Sequence, residues 1–255
     1  LLLNLNMKIL PKNNVYNKDL TVFGHRGVPS LEPENTLKSF KKAIELKYDA
    51  IELDVMLTRD NILIVHHDKH IKVNSKKKHI ADLDYQEILK FLTHKPPKLD
   101  EVLGSIGHQI NINVEIKDQG RGYVKIIDKV ISSLKNLNLI DNIVISCFNP
   151  RFIKYVKKID DRFATAWIWG TKNLYFFNHW KIVLNYLNPQ AIHIKYELIS
   201  SQLISQIKTQ NIKVLAYTVN KKSTLLNMIS KKIDGVFTDY PSILRLAKHQ
   251  DPESY

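Results

Sequence analysis

The regular alternation of short apolar runs with amphipathic segments constrains the fold of this 255-residue chain more than any other feature. Each run has the length of a buried strand, and the segment that follows it carries apolar residues at helical spacing. Eight such units remain once a short arm at residues 62–66, which pairs back through a hairpin turn, is set aside. Eight units in about 250 residues favour a closed barrel over an open sheet. We therefore predict an α/β fold, a (β/α)8 TIM barrel with a small insertion after the second strand.

The predicted elements leave no gap that would separate two domains. Strands are predicted at residues 20–24, 50–56, 109–116, 142–147, 163–169, 191–195, 213–219 and 235–238. Helices are predicted at residues 37–46, 84–92, 99–106, 123–137, 150–158, 175–187, 200–210, 223–230 and 242–248. The insertion is the Lys- and His-rich connection at residues 68–97. Residues 1–19 are predicted to form an N-terminal extension, and residues 20–250 a single domain.

The net charge restricts only weakly which classes of partner the protein can bind. Lys and Arg number 38 against 25 Asp and Glu, which gives a net charge of +13 that attracts polyanions, anionic lipid surfaces and phosphorylated substrates. The lysines are scattered in short runs, as on solvated helix faces, so we expect no nucleic-acid partner. Because no apolar stretch reaches the roughly 18 residues of a membrane span, we expect at most peripheral contact with anionic lipid.

The single cysteine, Cys147, excludes an intramolecular disulfide and a cysteine-based zinc site. This cysteine usage fits a reducing compartment. Residues 1–10 are apolar but short, contain Lys8 and lack a small-residue cleavage site, so they make a poor secretory signal. We therefore expect a cytoplasmic protein that is a monomer or a homodimer.

Three carboxylates are predicted to meet at the catalytic end of the barrel, where the carboxyl ends of the strands lie. Glu52 and Asp54 point to the same side of the second strand, and Glu115 ends the third. Crowded carboxylates repel one another unless a cation lies among them, and Mg²⁺ or Ca²⁺ prefers such oxygen ligands. These residues are candidate ligands for one divalent metal ion. The alternative is an exposed strand edge on which Glu115 pairs with Lys117.

Two histidines are predicted at the same end of the barrel. His25 follows the first strand and His67 follows the hairpin arm, and we favour His67 over His66 because an aspartate comes directly after it. A pair of imidazoles suits a reaction that needs a general acid and a general base. Arg26 and Lys117 add positive charge for an anionic group. Together with a metal, these groups indicate phosphoryl chemistry.

These motifs resemble the glycerophosphodiester phosphodiesterase family, and the likeness runs in order from about residue 21 to residue 241. The matching motifs are His25-Arg26-Gly27, Pro33-Glu34-Asn35-Thr36, Glu52-Leu53-Asp54-Val55, His67-Asp68, Pro97-Lys98-Leu99-Asp100-Glu101-Val102-Leu103, Glu115-Ile116-Lys117, Ser146-Cys147-Phe148, Tyr217-Thr218-Val219-Asn220 and Asp234-Gly235-Val236-Phe237-Thr238-Asp239-Tyr240-Pro241. The resemblance implies a (β/α)8 barrel that uses a divalent metal. The implied reaction converts a glycerophosphodiester, such as glycerophosphocholine or glycerophosphoethanolamine, into glycerol 3-phosphate and an alcohol.

The resemblance also implies a role for each site residue. His25 and His67 would be the acid/base pair, Arg26 and Lys117 would hold the phosphate, and Tyr217 would form an aromatic wall where family members often carry Trp. Glu52, Asp54 and Glu115 would hold the metal, and Glu34 would support His25 and Arg26 from behind. The attacking group is either water or a neighbouring glycerol hydroxyl that forms a cyclic phosphate. Which histidine is the acid and which is the base stays open.

Two other functions compete with this interpretation. One is a lysophospholipase D-like enzyme that uses the same barrel and the same residues on membrane lipid. The other is a catalytically idle basic module that binds lipid or nucleic acid. In an idle module we would expect some of the candidate histidines or carboxylates to be replaced by other residues, and all of them are present here.

Overall fold

The computed structural model describes residues 14–120, 122–171 and 179–248. The strands within these ranges are β1 (Thr21–Gly24), β2 (Ala50–Leu57), β3 (Leu63–Val65), β4 (His70–Val73), β5 (Lys76–His79), β6 (Asn111–Ile116), β7 (Ile143–Cys147), β8 (Ala164–Trp169), β9 (Ala191–Lys195), β10 (Lys213–Tyr217) and β11 (Gly235–Thr238). The helices are α1 (Leu37–Glu45), α2 (Tyr85–Phe91), α3 (Leu99–Ile106), α4 (Tyr123–Asn136), α5 (Pro150–Ile159), α6 (Trp180–Leu187), α7 (Ser201–Lys208), α8 (Lys222–Ser230) and α9 (Pro241–Lys248). No helix among these residues is long and apolar enough to cross a membrane.

Eight parallel strands close into a barrel. β1 pairs with β11 on one side, with Phe23 opposite Phe237, and with β2 on the other side, with Gly24 opposite Ile51. The remaining neighbours follow the order β2, β6, β7, β8, β9, β10 and β11. β3 runs antiparallel to the last residues of β2, as the hairpin arm predicts. The predicted (β/α)8 fold is therefore confirmed.

Strand residues alternate between two apolar layers, which fixes where the site can form. Outward-facing residues such as Ile51, Leu53 and Val55 pack against the surrounding helices in the main core. Ala50, on the same strand, packs into a separate cluster inside the barrel. Because side chains alternate along a strand, residues 52 and 54 share the inner face with residue 50.

The inner cluster closes the amino-terminal end of the barrel. Phe23 and Phe237 stack there with ring centroids 4.6 Å apart, and the His193 ring lies 4.7 Å from Phe237. Val15 and Tyr16, from a short helical turn before β1, join the same cluster. The Tyr16 hydroxyl lies 3.3 Å from Nε2 of His193. This packed floor leaves the opposite end of the barrel for chemistry.

The insertion contains a hairpin that the sequence analysis missed. β4 and β5 pair antiparallel, and their turn residues Asn74 and Ser75 both have positive φ, at 49° and 64°. Two left-handed central residues give a tight two-residue turn that suits strand pairing. The signal was weak because Lys is depleted in strands and fills three of the four positions of β5.

Helix α6 begins later than predicted. The predicted helix covers residues 175–187, whereas the described helix begins at Trp180 after a turn at His179. Residues 175–178 of that prediction lie outside the described residues. The other predicted strands and helices correspond to described elements, with differences of a few residues at their ends.

Candidate active site

The turn after β1 brings a basic side chain back over the barrel. Arg26 and Gly27 both have positive φ, at 56° and 89°, and Gly27 lies so close to Ser39 of α1 that a Cβ atom there would collide with it. The Arg26 amide donates to Oε2 of Glu52 at 2.9 Å, and its carbonyl accepts from the Asn35 amide at 3.0 Å. These bonds hold an arginine in a conformation that L-residues rarely adopt.

The three predicted metal ligands converge. One carboxylate oxygen each from Glu52, Asp54 and Glu115 lies within 4.8 Å of the other two. Glu52 and Asp54 are almost fully buried, and Glu115 is 13% exposed. Asn35 fixes Asp54 from both directions: its amide nitrogen donates to Oδ2 at 2.9 Å, and its oxygen accepts from the Asp54 amide at 3.2 Å.

Two cations offset the charge of the three carboxylates. Nζ of Lys117 lies 2.6 Å from Glu115 and 3.1 Å from Asp54, and Nε of Arg26 lies 3.3 Å from Asp54. Burial raises the pKa of Asp54, but Lys117, Arg26 and His67 outweigh burial and lower it to about 2. The alternative pairing of Glu115 with Lys117 is thus present, within a larger cluster and not on an exposed edge.

Glu52 is the carboxylate that the protein leaves least satisfied. Burial, together with Asp54 and Glu115, raises the pKa of Glu52 well above its usual value. Oε2 accepts from the Arg26 amide, whereas the buried Oε1 has no hydrogen-bond partner among the described residues. A buried, unpartnered oxygen is costly unless another group binds it. Three oxygen donors with one of them free fit a hard divalent cation, so these residues could hold one.

His25 is held by a carboxylate from the last strand. Its Nδ1 lies 2.7 Å from Oδ1 of Asp239, which follows β11. Asn220 donates to Oδ2 of Asp239 at 2.5 Å and accepts from the Asp239 amide at 2.9 Å. Burial raises the pKa of Asp239, but its hydrogen bond to His25 and the charge of that ring lower it below its usual value. The carboxylate therefore stays ionised and orients the ring, as partners of catalytic histidines do.

His67 has a more exposed partner. Its Nδ1 lies 2.9 Å from Oδ1 of Asp68, whose side chain is 74% exposed. The hydrogen bond to His67 lowers the pKa of Asp68. The neighbouring His66 has a buried Nε2 with no hydrogen-bond partner in the part of the chain that the structure describes, and burial lowers the pKa of this ring. His67 lines the central cavity and His66 does not.

Glu34 contacts one of the two residues that it was expected to support. Both of its carboxylate oxygens lie 3.0 Å from Nη1 of Arg26. The carboxylate that contacts His25 is Asp239. Burial lowers the pKa of Arg26, but Asp54, Glu52 and Glu34 outweigh it, so the guanidinium stays charged.

The central cavity, of about 580 Å³ including its open mouth, is lined by most of the predicted residues, but not by Asp54 or Glu34. Its lining includes His25, Arg26, Glu52, His67, Asn113, Glu115, Lys117, Phe148 and Tyr217. The hydroxyl of Tyr217 donates to the Trp169 carbonyl at 3.3 Å, and its ring meets Phe148 edge-on at 6.3 Å. Trp167 and Trp169, on β8, are fully buried and stack on each other in the main core.

Sequence reasoning missed the residues that orient the site. Asp239 and Asn220 lie in quoted motifs, but the Asp239–His25 contact spans 214 residues and exists only because β1 closes on β11. Asn35 also lies in a quoted motif, and its bond to Asp54 depends on the turn geometry. Asn113 lies opposite Glu52 and donates to Ser146, while its buried Oδ1 has no partner among the described residues. Its position two residues before Glu115 on the same strand was the available signal.

The fold and the cavity define a class of protein. A (β/α)8 barrel that collects proton-transfer groups, positive charge and a cation-binding cluster at the carboxyl ends of its strands is an enzyme suited to anionic esters. The family model described as "Glycerophosphoryl diester phosphodiesterase family" matches residues 25–243, and the chain belongs to this family. The expected class, a phosphoric diester hydrolase, is confirmed at the level of the family.

Known proteins agree over most of the chain. A glycerophosphodiester phosphodiesterase of Caldanaerobacter subterraneus is 31% identical over 235 residues, which cover 88% of this chain and 95% of that protein. A phosphodiesterase of Oleispira antarctica, solved in complex with the product sn-glycerol-3-phosphate, is 26% identical with a TM-score of 0.76, covering 89% of this chain and 96% of that one. A Thermotoga maritima glycerophosphodiester phosphodiesterase shares the fold, with 24% identity and a TM-score of 0.76, covering 89% of this chain and 98% of that one.

Proposed function

We propose that this protein hydrolyses glycerophosphodiesters, such as glycerophosphocholine or glycerophosphoethanolamine, to glycerol 3-phosphate and an alcohol. The observation that carries the proposal is the convergence of His25 and His67 on one cavity with the carboxylate cluster. The product bound to the Oleispira relative supports the same substrate class. We assign the whole activity to one catalytic domain, residues 20–250, with residues 1–19 as an extension.

His25 and His67 act as the general acid and the general base in this proposal. Each ring binds a carboxylate through Nδ1, so Nε2 is left to exchange a proton with the substrate. Arg26 and Lys117 bind the phosphate oxygens as charged donors. Tyr217 bounds the cavity beside Phe148 on the aromatic side.

Glu52, Asp54 and Glu115 hold the cofactor, which we propose is one Mg²⁺ or Ca²⁺ ion. When bound, such an ion supplies Lewis acidity and positive charge at the phosphate. Glu34 keeps the Arg26 guanidinium in place, so it has a positioning role.

We further propose that the protein acts in the cytoplasm as a monomer or a homodimer, on a small phosphodiester substrate. The single buried thiol of Cys147 fits a reducing compartment. The net charge of +13 supports anionic substrates and peripheral contact with anionic lipid. We expect neither a nucleic-acid partner nor stable membrane insertion.

The test is release of glycerol 3-phosphate from glycerophosphocholine and glycerophosphoethanolamine with Mg²⁺ or Ca²⁺, repeated with a chelator. We expect chelation to abolish release and His25→Ala to lower it by at least about 100-fold, the size of a general acid–base contribution. The matched control is His108→Ala, which changes an exposed histidine outside the cavity. Activity that survives chelation would remove the metal from the proposal, and equal rates for His25→Ala and wild type would remove the histidine.

A further inference from the structure

The β4–β5 hairpin carries a concentration of unbalanced positive charge. Residues 69–81 include five lysines and two histidines and no acidic residue. All five lysines are exposed, and none forms an ion pair with a described residue. They are Lys69, Lys72, Lys76, Lys77 and Lys78.

The pairing of the two strands places like charges directly opposite each other. Lys72 is the register partner of Lys77. Like charges at opposed positions destabilise an antiparallel pair, because the side chains lie close together. Asp68 and Asp82 flank the hairpin, but neither forms an ion pair with these lysines among the described residues, so the lysine charge is open to solvent.

The hairpin is nevertheless fixed to the barrel. Ile71 is 5% exposed and packs with Ile64, Ile80 and Ile88 in a cluster of its own. The Ile80 amide also donates to the Lys69 carbonyl at 2.8 Å, which ties the two ends of the hairpin together. The lysines are therefore held on a packed platform and not on a free loop.

This platform stands beside the catalytic mouth. Lys69 follows His67 by two residues, so their Cα atoms are at most about 7 Å apart. Two exposed apolar side chains lie on the neighbouring loops: Leu31, after β1, is 54% exposed, and Tyr240, after β11, is 46% exposed. β11, β1 and β2 are consecutive around the barrel, so the hairpin lysines, Leu31 and Tyr240 all follow neighbouring strands at its carboxyl end, and we call this set of residues the arc.

We propose that this arc, the hairpin lysines with Leu31 and Tyr240, docks the mouth of the barrel on an anionic lipid bilayer. Lysines attracted to the headgroups beside apolar side chains that enter the interface are the combination that peripheral membrane proteins use. A single-stranded nucleic-acid site would use stacking aromatic rings among its cations, and residues 69–81 contain no Phe, Tyr or Trp. The proposal rests on the peripheral lipid contact of the proposed function and adds the surface that makes it, and its test does not require the enzyme to be active.

The test is co-sedimentation of the full chain with vesicles of phosphatidylcholine alone and of phosphatidylcholine mixed with phosphatidylglycerol, at low ionic strength. Wild type should bind the mixed vesicles and not the neutral ones. Each juxtamembrane lysine contributes about five-fold to partitioning, so Lys72→Gln/Lys76→Gln/Lys77→Gln should lower binding about 100-fold. Leu31→Gln should lower it several-fold more.

The matched control removes three exposed lysines from the opposite end of the barrel. Lys47, Lys158 and Lys232 lie at or just after the carboxyl ends of α1, α5 and α8, which face away from the mouth. Lys47→Gln/Lys158→Gln/Lys232→Gln has the same net charge as the hairpin variant and should keep most of the vesicle binding. Equal losses in the two variants would overturn the proposal, because they would show that only net charge matters.

Two further measurements distinguish other uses of the same charge. If the hairpin variant loses affinity for a DNA duplex while vesicle binding is unchanged, the arc binds nucleic acid and the proposal is wrong. If it lowers kcat/KM on soluble glycerophosphocholine with vesicle binding unchanged, the lysines steer the small substrate and the proposal is again wrong. Vesicle binding without any hydrolysis would instead leave this proposal standing and count against the proposed function.

Discussion

At the scale of single residues, the two histidines of the cavity differ in how firmly they are held. Asp239, the partner of His25, has a side chain only 26% exposed and is itself bound by Asn220. Asp68, the partner of His67, is 74% exposed and adjacent in sequence. A carboxylate held by the protein fixes a tautomer and a ring orientation, whereas a solvated one exchanges its partner with water.

This difference predicts unequal effects from the same substitution. Asp239→Asn should lower kcat about 10- to 100-fold with a smaller change in KM, because an oriented carboxylate partner is replaced by a neutral amide. Asp68→Asn is the matched control and should lower kcat only a few-fold. Steady-state kinetics on glycerophosphocholine measure both. Losses of equal size would show that the burial of Asp239 does not matter to His25.

A second prediction at this scale follows from the carboxylate oxygen of Glu52 that has no hydrogen-bond partner among the described residues. Glu52→Gln removes one of three crowded charges and keeps an oxygen for the Arg26 amide, so the chelator-treated protein should become more stable by about 1 kcal/mol. The same variant should lose the rise in Tm that Mg²⁺ or Ca²⁺ gives the wild type.

Thermal melts with and without metal measure both effects. Glu45→Gln, on an exposed helix surface, should change stability by less than about 0.5 kcal/mol and keep the response to metal. A Glu52→Gln protein that is still stabilised by metal would show that this carboxylate is not a ligand.

At the scale of elements, the turn after β1 depends on a close approach to α1. Gly27 has a φ of 89°, and the space for its Cβ is already filled by Ser39, whose hydroxyl accepts from the Val28 amide at 2.7 Å. Gly27→Ala should therefore destabilise the protein by about 3 kcal/mol, from backbone strain and overpacking together. It should also lower activity, because the same turn carries His25 and Arg26.

Gly104→Ala is the control for this prediction. Gly104 lies inside α3 with nothing within 4 Å of its Cβ position, so the alanine should stabilise the helix by about 0.5 to 1 kcal/mol. Urea unfolding curves of the two variants should move in opposite directions. A Gly27→Ala variant as stable as wild type would mean that the turn relaxes without cost.

The sequence predicts elements well where one local pattern decides them. Apolar runs such as residues 143–147 are easy to recognise because a strand in a parallel sheet buries both faces, and the alternation of eight such units then favours a closed barrel. The β4–β5 hairpin could not be predicted in this way, because its lysines show no strand pattern and only the turn residues Asn74 and Ser75 indicate a hairpin.

The candidate metal ligands could be predicted from the sequence because Glu52 and Asp54 are two residues apart on one strand. The hydrogen bond between Asp239 and His25 could not be predicted, because it forms only when the barrel closes.

At the scale of the whole molecule, the barrel interior is divided into a charged mouth and an apolar floor. The floor contains His193, which is 2% exposed and packs on Phe237 within 3.3 Å of the Tyr16 hydroxyl. Burial lowers the pKa of His193 to about 3 and raises that of Tyr16. The folded protein therefore keeps this histidine neutral at pH values where an unfolded chain would protonate it.

This buried histidine predicts an acid sensitivity that is distinct from that of the carboxylates. The unfolded chain takes up a proton at His193 below about pH 6.5 and the folded chain does not until about pH 3, so acidification across this window favours unfolding. The unfolding free energy falls by about 1.4 kcal/mol per pH unit, or by roughly 2 to 3 kcal/mol between pH 6.5 and 4.5.

Urea unfolding at several pH values should show that His193→Gln lacks this part of the dependence of the unfolding free energy on pH. His108→Gln, an exposed control, should keep the wild-type slope. Parallel slopes for His193→Gln and wild type would mean that the floor accepts a proton on this ring without opening.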